Sequence, residues 1–494
     1  MDKELSKKNT YIDGLLSYVF IIFCSFIMSL NSFSSPFRPG SSATDSSVFQ
    51  YVARVIIRGG MPYRDTFDHK GPLIYLIDAL GLIINSQIGI WLIELVFIFI
   101  IFLFTFKIAR MIGSGYFSSC AVVAFGVLIL SYYYEGGNLT EEYACAFIII
   151  SLYFFLKYFL TGNIIIPESV FCGMSFAAVC LLRINMASLW VVMCIGVLIN
   201  SIRNKKYKDI VWFLLWFILG AAILIIPVVS WLMINNAFYP FIEDYFVFNS
   251  MYSTDVERAS LKNILFSIIH FGTDSVSKII FPVLVFFCIS EKKMTDILCI
   301  ITAAFSILCM SISGQLYGHY GMILYPIAVY SIGRLFFEIW ENRKAIANSK
   351  LIAMYMSAVV VILLLFGSTS FELLRTVRTS ILGRYHLPDG NKTISQIVIE
   401  NTEPEDRITV CGNNDIIYLL SNRESVSKYS YQSPIALINP DIYSEYLKDI
   451  DTLRPKVIII ENDSFLYSDI VGIMGNDYSL LSNYLTTEIF LRDK

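Results

Sequence analysis

Apolar runs of about 20 residues, separated by short polar or basic stretches, recur along most of the chain. Each is long enough to cross a bilayer as a helix. They centre on 11–30, 88–106, 116–133, 143–160, 164–182, 186–202, 209–234, 273–290, 295–312, 321–338 and 350–370. The stretch 71–87 is apolar too, but it is shorter, opens on Gly71-Pro72 and carries Asp78 in its middle. Beyond about residue 370 the pattern changes. Arg407–Cys411 and the run KVIIIE (Lys456–Glu461) read as strands, set between the helix-like stretches Lys392–Glu400, Asp415–Ser421 and Pro440–Leu453. The expected architecture is an α-helical polytopic membrane domain over 1–370 with about eleven transmembrane helices. A small soluble α/β domain follows over 371–494.

Basic residues fix the expected orientation. If the N-terminal lysines (Lys3, Lys7, Lys8) are cytoplasmic and 71–87 does not cross, then Lys107 and Arg110, Arg203 to Lys208, Lys292 and Lys293, and Arg343 to Lys350 all fall inside. If 71–87 crosses, every one of those clusters lands outside. The segment is therefore expected to lie at the interface as an amphipathic helix. The N-terminus is then cytoplasmic, the C-terminal domain lies outside the cell membrane, and the first outer loop covers 31–87. MDKELSKK leads into the first run without a small-residue cleavage site, so that run reads as a retained span.

Composition agrees. Of 494 residues 56% are hydrophobic and 16% charged, against about 25% charged in soluble domains. The basic residues are scattered in small clusters, which excludes a nucleic-acid surface. Nine of the ten cysteines sit in or beside apolar runs as small fillers, and Cys411 stands apart in the tail, so neither a disulfide framework nor a CxxC metal pattern is present.

The chemistry-bearing residues gather on the outward side. In SSATDSSVFQYVARVIIRGGMPYRDTFDHKGPLIYL, Thr44 or Asp45 can start a helix whose apolar face (Val48, Phe49, Val52, Val55, Ile56) suits the membrane surface. At that helix start the dipole favours an ionised Asp45 able to act as a base. Arg64, Asp65, Asp68, His69 and Lys70 follow within seven residues. Lys70, Arg64 and the pair Arg54/Arg58 could bind a lipid-linked phosphate at headgroup depth. Such a mixed cluster also reads, more plainly, as a solvated, salt-bridged loop.

Other outward loops add matching pieces. YYYEGGNLTEEY places Glu135, Glu141 and Glu142 at the mouth of two spans. Arg183 stands alone at the outer end of a span, where a cation either snorkels or meets an anion. His319-Tyr320 opens another span, and the aromatic stretch Phe238–Tyr252 most simply anchors at the interface.

Four of these features resemble the GT-C superfamily of membrane glycosyltransferases. They are the acid opening the first outer loop (Asp45), the string GGMPYRDTFDHKGPLIY, the acidic loop ending in Glu141-Glu142, and SGQLYGHYGMILYP. The likeness is greatest to the bacterial branch related to protein O-mannosyltransferases and lipid A aminoarabinose transferase. It implies a GT-C type membrane domain that moves a sugar, with inversion, from a polyprenyl-phosphate donor to a hydroxyl of a glycan, lipid or protein acceptor. Asp45 would be the catalytic base, with Glu142 as a second carboxylate and Glu141 its substitute. Lys70, Arg183 and Arg64 would hold the donor phosphate, and Lys70-Gly71-Pro72 departs from the family's Lys-Pro-Pro-like motif. Tyr63, Asp68, His69, Glu141, His319 and Tyr320 are candidate substrate contacts. No cofactor is required. A divalent metal is optional for a single phosphate, although Asp45, Glu142 and His319 could hold one. The rival expectations are a transporter or flippase, or a polymerase, of lipid-linked saccharides.

Overall fold

The computed structural model describes residues 2–38, 44–254, 260–341, 348–383, 390–461 and 464–493. Residues 39–43 ahead of Asp45 and most of the basic stretch 343–350 lie outside the described residues. The chain divides into two compact units: one of residues 2–38, 91–227 and 260–383, the other of residues 44–90, 228–254 and 390–493.

In chain order, α1 (Asp2–Ser29) is followed by α2 (Thr44–Ile57), α3 (Pro72–Ile84), α4 (Gly89–Ile112), α5 (Tyr116–Tyr133) and α6 (Thr140–Thr161). Then come α7 (Ile166–Leu182), α8 (Ser188–Arg203), α9 (Tyr207–Ile234), α10 (Phe238–Phe241) and α11 (Phe248–Thr254). The later helices are α12 (Leu261–Gly272), α13 (Ser277–Ser290), α14 (Met294–Ser311), α15 (Tyr325–Glu341), α16 (Asn348–Leu365) and α17 (Gly367–Ile381).

Among the described residues seven helical stretches are long and apolar enough to cross a membrane: Ile12–Ser29, α4, α5, α6, α9, α14, and Gly318–Glu341, which leads into and includes α15. Two further candidates are bent. α12 and α13 meet at 70°, and Met356–Leu365 meets α17 at 76°. Counting each bent pair once gives nine, against the eleven runs expected from hydropathy. The two runs that make up the difference are 164–182 and 186–202, where the helices are shorter than the apolar runs. α7 and α8 are apolar but have only 17 and 16 residues. α3 has 13 residues, roughly 20 Å at 1.5 Å per residue, too short for a hydrocarbon core of about 30 Å. Its length agrees with the expectation that 71–87 does not cross.

The second unit holds the tail's sheet. After α18 (Gly390–Glu400), β1 (Arg407–Cys411), β2 (Glu424–Ser425) and β3 (Val457–Glu461) pair in parallel, and β4 (Tyr478–Tyr484) and β5 (Thr487–Arg492) close one side antiparallel, in the order β2-β1-β3-β5-β4. Its core joins Ile408, Val410, Val457, Ile459 and Ile489 to Ile394 and Val398 of α18.

This core also includes Tyr51 of α2, with Val55 against it. The sequence placed α2 on a membrane surface, whereas here one side of the helix is covered by the tail. Another side meets α3, where Phe49 lies 6.4 Å from Tyr75. The arginines expected to bind phosphate take part in this docking. Arg54 donates to the carbonyls of Tyr418 (2.8 Å) and Arg423 (2.7 Å), and Arg58 pairs with Glu424 and Asn422. Arg54 is half-buried, so its loss strands two acceptors, whereas the Arg58–Glu424 pair is exposed and screened. We expect Arg54→Ala to destabilise the second unit by about 2 kcal/mol and to speed proteolysis within 390–493. Arg58→Ala should change neither measurement by more than about 1 kcal/mol.

Candidate functional site

The segment joining α2 to α3 is a tight loop fixed by a strained tyrosine. Tyr63 sits at φ 66°, in the left-handed region, and is buried. For a non-glycine residue that conformation costs roughly 1–2 kcal/mol. Packing against Tyr75 (5.9 Å) and Phe241 (5.3 Å) over-determines it. The Tyr63 amide donates to Thr66 (2.8 Å) and its hydroxyl to the Lys70 carbonyl (2.7 Å), so the two ends of the loop hold each other. Pro72 then begins α3, where its missing N–H is not needed.

Inside the loop Asp68 is buried and fully engaged. It accepts from Tyr75 (2.7 Å), from Tyr431 of the tail (2.8 Å) and from the His69 amide (2.8 Å). Burial raises its pKa, opposed by the nearby Lys70 and by these bonds. His69 Nδ1 lies 3.2 Å from the Tyr431 hydroxyl and Nε2 lies 2.9 Å from Lys70 Nζ. The His69 ring stacks on Tyr252 at 5.7 Å, and its carbonyl accepts from Asn249 (2.7 Å). Asp45, half-buried in the first turn of α2, acts electrostatically on the Tyr431 hydroxyl. Arg64 is exposed, paired with Asp65 (2.7 Å) and bonded to the Asn235 carbonyl (2.7 Å). The aromatic stretch expected to anchor at an interface packs instead on this loop, with Phe248 5.3 Å from Phe67. Between α10 and α11 it forms a π-helix over Ile242–Val247, a rare element common at functional sites.

The first unit holds a second cluster around the α5–α6 loop. Glu135, Gly136, Gly137 and Asn138 have φ of 41°, 93°, 80° and 51°, four left-handed residues in a row. A Cβ on Gly137 would strike Glu94 and the Tyr134 hydroxyl, so only glycine fits there. The Asn138 amide lies 2.7 Å from Glu94 Oε1 and 2.9 Å from Glu142 Oε2, and Ser32 donates to Glu94 (2.7 Å). Glu142 is therefore fully buried against a second carboxylate, Glu94 of α4.

Glu141 instead pairs with Arg183, whose guanidinium lies 4.0 Å over the Tyr320 ring. His319 Nε2 is 3.7 Å from Glu141, and its Nδ1 is 2.5 Å from Glu135, which also accepts from the Gly318 amide (2.8 Å). Partial burial works to raise the Glu135 pKa, but the bonds from His319 and Gly318 outweigh it and hold the carboxyl below its ordinary value.

The expected residues thus form two sets. Tyr63, Asp68, His69 and Lys70 form one network, and Asp45 stands in the first turn of the helix that leads into it. Glu141, Arg183, His319 and Tyr320 form the other, and Glu142 turns away to Glu94. Arg64 and Arg183 have carboxylate partners that offset their charge, whereas Lys70 hydrogen-bonds an imidazole. Among the described residues no group of three or more His, Cys, Asp or Glu converges as metal ligands. Tyr431 and Glu94 have no local motif to mark them, and Tyr75 closes the string GGMPYRDTFDHKGPLIY without having been singled out.

Next to Tyr431, Ser430 donates to Asp415 Oδ2 (2.5 Å), while Asp415 Oδ1 is buried without a hydrogen-bond partner among the described residues. Burial raises the Asp415 pKa from 3.8 to about 7. The folded state therefore keeps this proton over a range where the unfolded chain has released it. The stability it contributes is present below about 4 and lost as pH rises through about 7. Asp415→Asn should gain on the wild type by a few kcal/mol between those limits, read as a Tm difference that widens with pH.

Several solved structures share this architecture. ArnT from Cupriavidus metallidurans bound to undecaprenyl phosphate superposes with a TM-score of 0.63 at 13% identity, covering 96% of this chain and 97% of that one. Apo ArnT gives 0.60 at 11% identity, covering 98% of each chain. The archaeal oligosaccharyltransferase AglB from Archaeoglobus fulgidus, in complex with an inhibitory peptide and a dolichol-phosphate, gives 0.52 at 11%, covering 92% of this chain and 71% of that one. With the apolar helices described above, these likenesses establish the fold: a multi-pass membrane protein built like ArnT and AglB. No curated protein matches the sequence. Residues 6–335 match the competence-induced protein Ccs4 N-terminal domain family, and the chain belongs to it.

Proposed function

We infer that the protein is an inverting glycosyltransferase that takes its sugar from a polyprenyl-phosphate donor, in the manner of the bacterial aminoarabinose and O-mannosyl transferases. The observation that carries the reading lies within one compact unit. An acid in the first turn of α2, Asp45, stands on the helix that leads into the loop where His69 Nε2 holds the ammonium of Lys70 at 2.9 Å. The fold adds support, since ArnT carries undecaprenyl phosphate and shares this chain's architecture over nearly its whole length.

In the proposed reaction the acceptor hydroxyl attacks the anomeric carbon from the face opposite the phosphate. Its proton passes to the Asp45 carboxylate as the new C–O bond forms. The bond from the anomeric carbon to the phosphate oxygen breaks, and its electron pair leaves with the polyprenyl phosphate. That leaving group is already anionic and needs a cation more than a general acid, which is the role of Lys70. The acceptor is a hydroxyl of a cell-envelope glycan, lipid or protein. With α7 and α8 counted as crossings the membrane domain has eleven, the N-terminus is cytoplasmic, and the domain over 371–494 lies outside the cell membrane.

The test is sugar transfer from radiolabelled undecaprenyl-phosphate sugars to cell-envelope lipids by the purified protein. Asp45→Asn should fold and lose at least about a hundredfold in turnover. Lys70→Ala should lose at least about tenfold in kcat/KM. Equal transfer by wild type and Asp45→Asn would remove the base assignment. A wild type that moves the lipid donor across vesicles without transferring sugar would replace the enzyme with a transporter.

A further inference from the structure

Tyr431 of the tail bonds both Asp68 and His69, and the hydrogen-bond directions there can be assigned from chemistry. The Lys70 ammonium has three N–H bonds and no lone pair, so the His69 Nε2 facing it at 2.9 Å is the acceptor and carries no proton. A neutral imidazole with a bare Nε2 holds its proton on Nδ1, which lies 3.2 Å from the Tyr431 oxygen and 3.5 Å from Asp68 Oδ1, so the tyrosine is the nearer acceptor. The tyrosine proton then goes to Asp68 Oδ1 at 2.8 Å. The chain Lys70, His69, Tyr431, Asp68 runs in one direction, each group giving one proton to the next. Reversal fails at both ends, because an ammonium cannot accept and a carboxylate cannot donate.

We propose that Tyr431 is a positioning residue that holds the His69 ring at Nδ1 and thereby aims Lys70 at Nε2, making the C-terminal domain part of the lipid-phosphate site. The proposal deepens the function given above and rests on the reading of Lys70 as the phosphate ligand. A neutral imidazole partner suits that task. It orients the ammonium through a neutral acceptor, whereas Arg64 and Arg183 are bonded directly to carboxylates. Tyr431 can do this because it is buried, its ring lies 6.3 Å from Phe67, and its hydroxyl is held at the point where Asp68 and His69 meet. Directed chains of this kind polarise one another, so removing one link loosens the group at the end.

The experiment uses the full-length protein in detergent with Tyr431→Phe, which removes only the hydroxyl. Tyr429→Phe is the control, since that hydroxyl bonds Glu445 (2.6 Å) outside the chain. Two quantities are read: the affinity for undecaprenyl phosphate and the rate of amine modification at Lys70 followed by mass spectrometry. Tyr431→Phe should weaken the lipid by about tenfold and change Lys70 labelling severalfold, while Tyr429→Phe changes neither. In a His69→Ala background, Tyr431→Phe should have no further effect on either quantity. Equal affinity and labelling in wild type and Tyr431→Phe would overturn the proposal, as would equal losses in both tyrosine variants. If the wild type fails to bind the lipid, the phosphate reading of Lys70 falls. The labelling difference then decides alone whether Tyr431 orients that lysine.

Discussion

A carboxylate removed from water must find donors, and Asp68 finds them in three parts of the chain at once. Tyr75 comes from α3, the amide comes from its own loop, and Tyr431 comes from the tail. Leaving any of these out would strand a buried charge or a buried hydroxyl, at about 1–3 kcal/mol each. The loop, α3 and the α/β domain are therefore bound to one geometry by a single residue. The same requirement explains why the aromatic stretch after α9 packs on the loop. Its rings exclude water from the carboxylate and support the left-handed turn at Tyr63.

The first unit answers the same problem differently. Glu94 and Glu142 meet at one backbone amide, that of Asn138, which four successive left-handed residues present to them. Strain in the loop and burial of the acids sustain each other, because relaxing the turn would withdraw the amide both carboxylates share. Beside it the charges alternate in space through Glu135, His319, Glu141 and Arg183.

Much of this was legible where the partners are neighbours in sequence. Tyr63, Asp68, His69 and Lys70 fall within eight residues, so their clustering needs no long-range knowledge. The strands at Arg407–Cys411 and Val457–Glu461 announce themselves as β-branched runs. β4 and β5 do not, because their residues are half-exposed and polar. The breaks at Gly272–Thr273 and Phe366 were hidden because hydropathy averages across a bend. The protein cover on α2 was hidden for a related reason: an apolar helix face does not say whether lipid or protein covers it. Tyr431 and Glu94 were invisible in principle, since each acquires its role only from residues that folding brings to it.

The bond between Asp68 and Tyr431 spans 363 residues of sequence. At a synthesis rate of about 5–20 residues per second, roughly 20–70 s separate the appearance of the two partners. Throughout that interval the acid, the docking face of α2 and the strained loop exist without the domain that completes them. The membrane helices made in between must be inserted while this half-site waits. A nascent chain of this protein therefore acquires its Lys70 network as one of its last folding events, and a ribosome that stops before residue 431 leaves behind an inserted membrane bundle with an open, unsatisfied first loop.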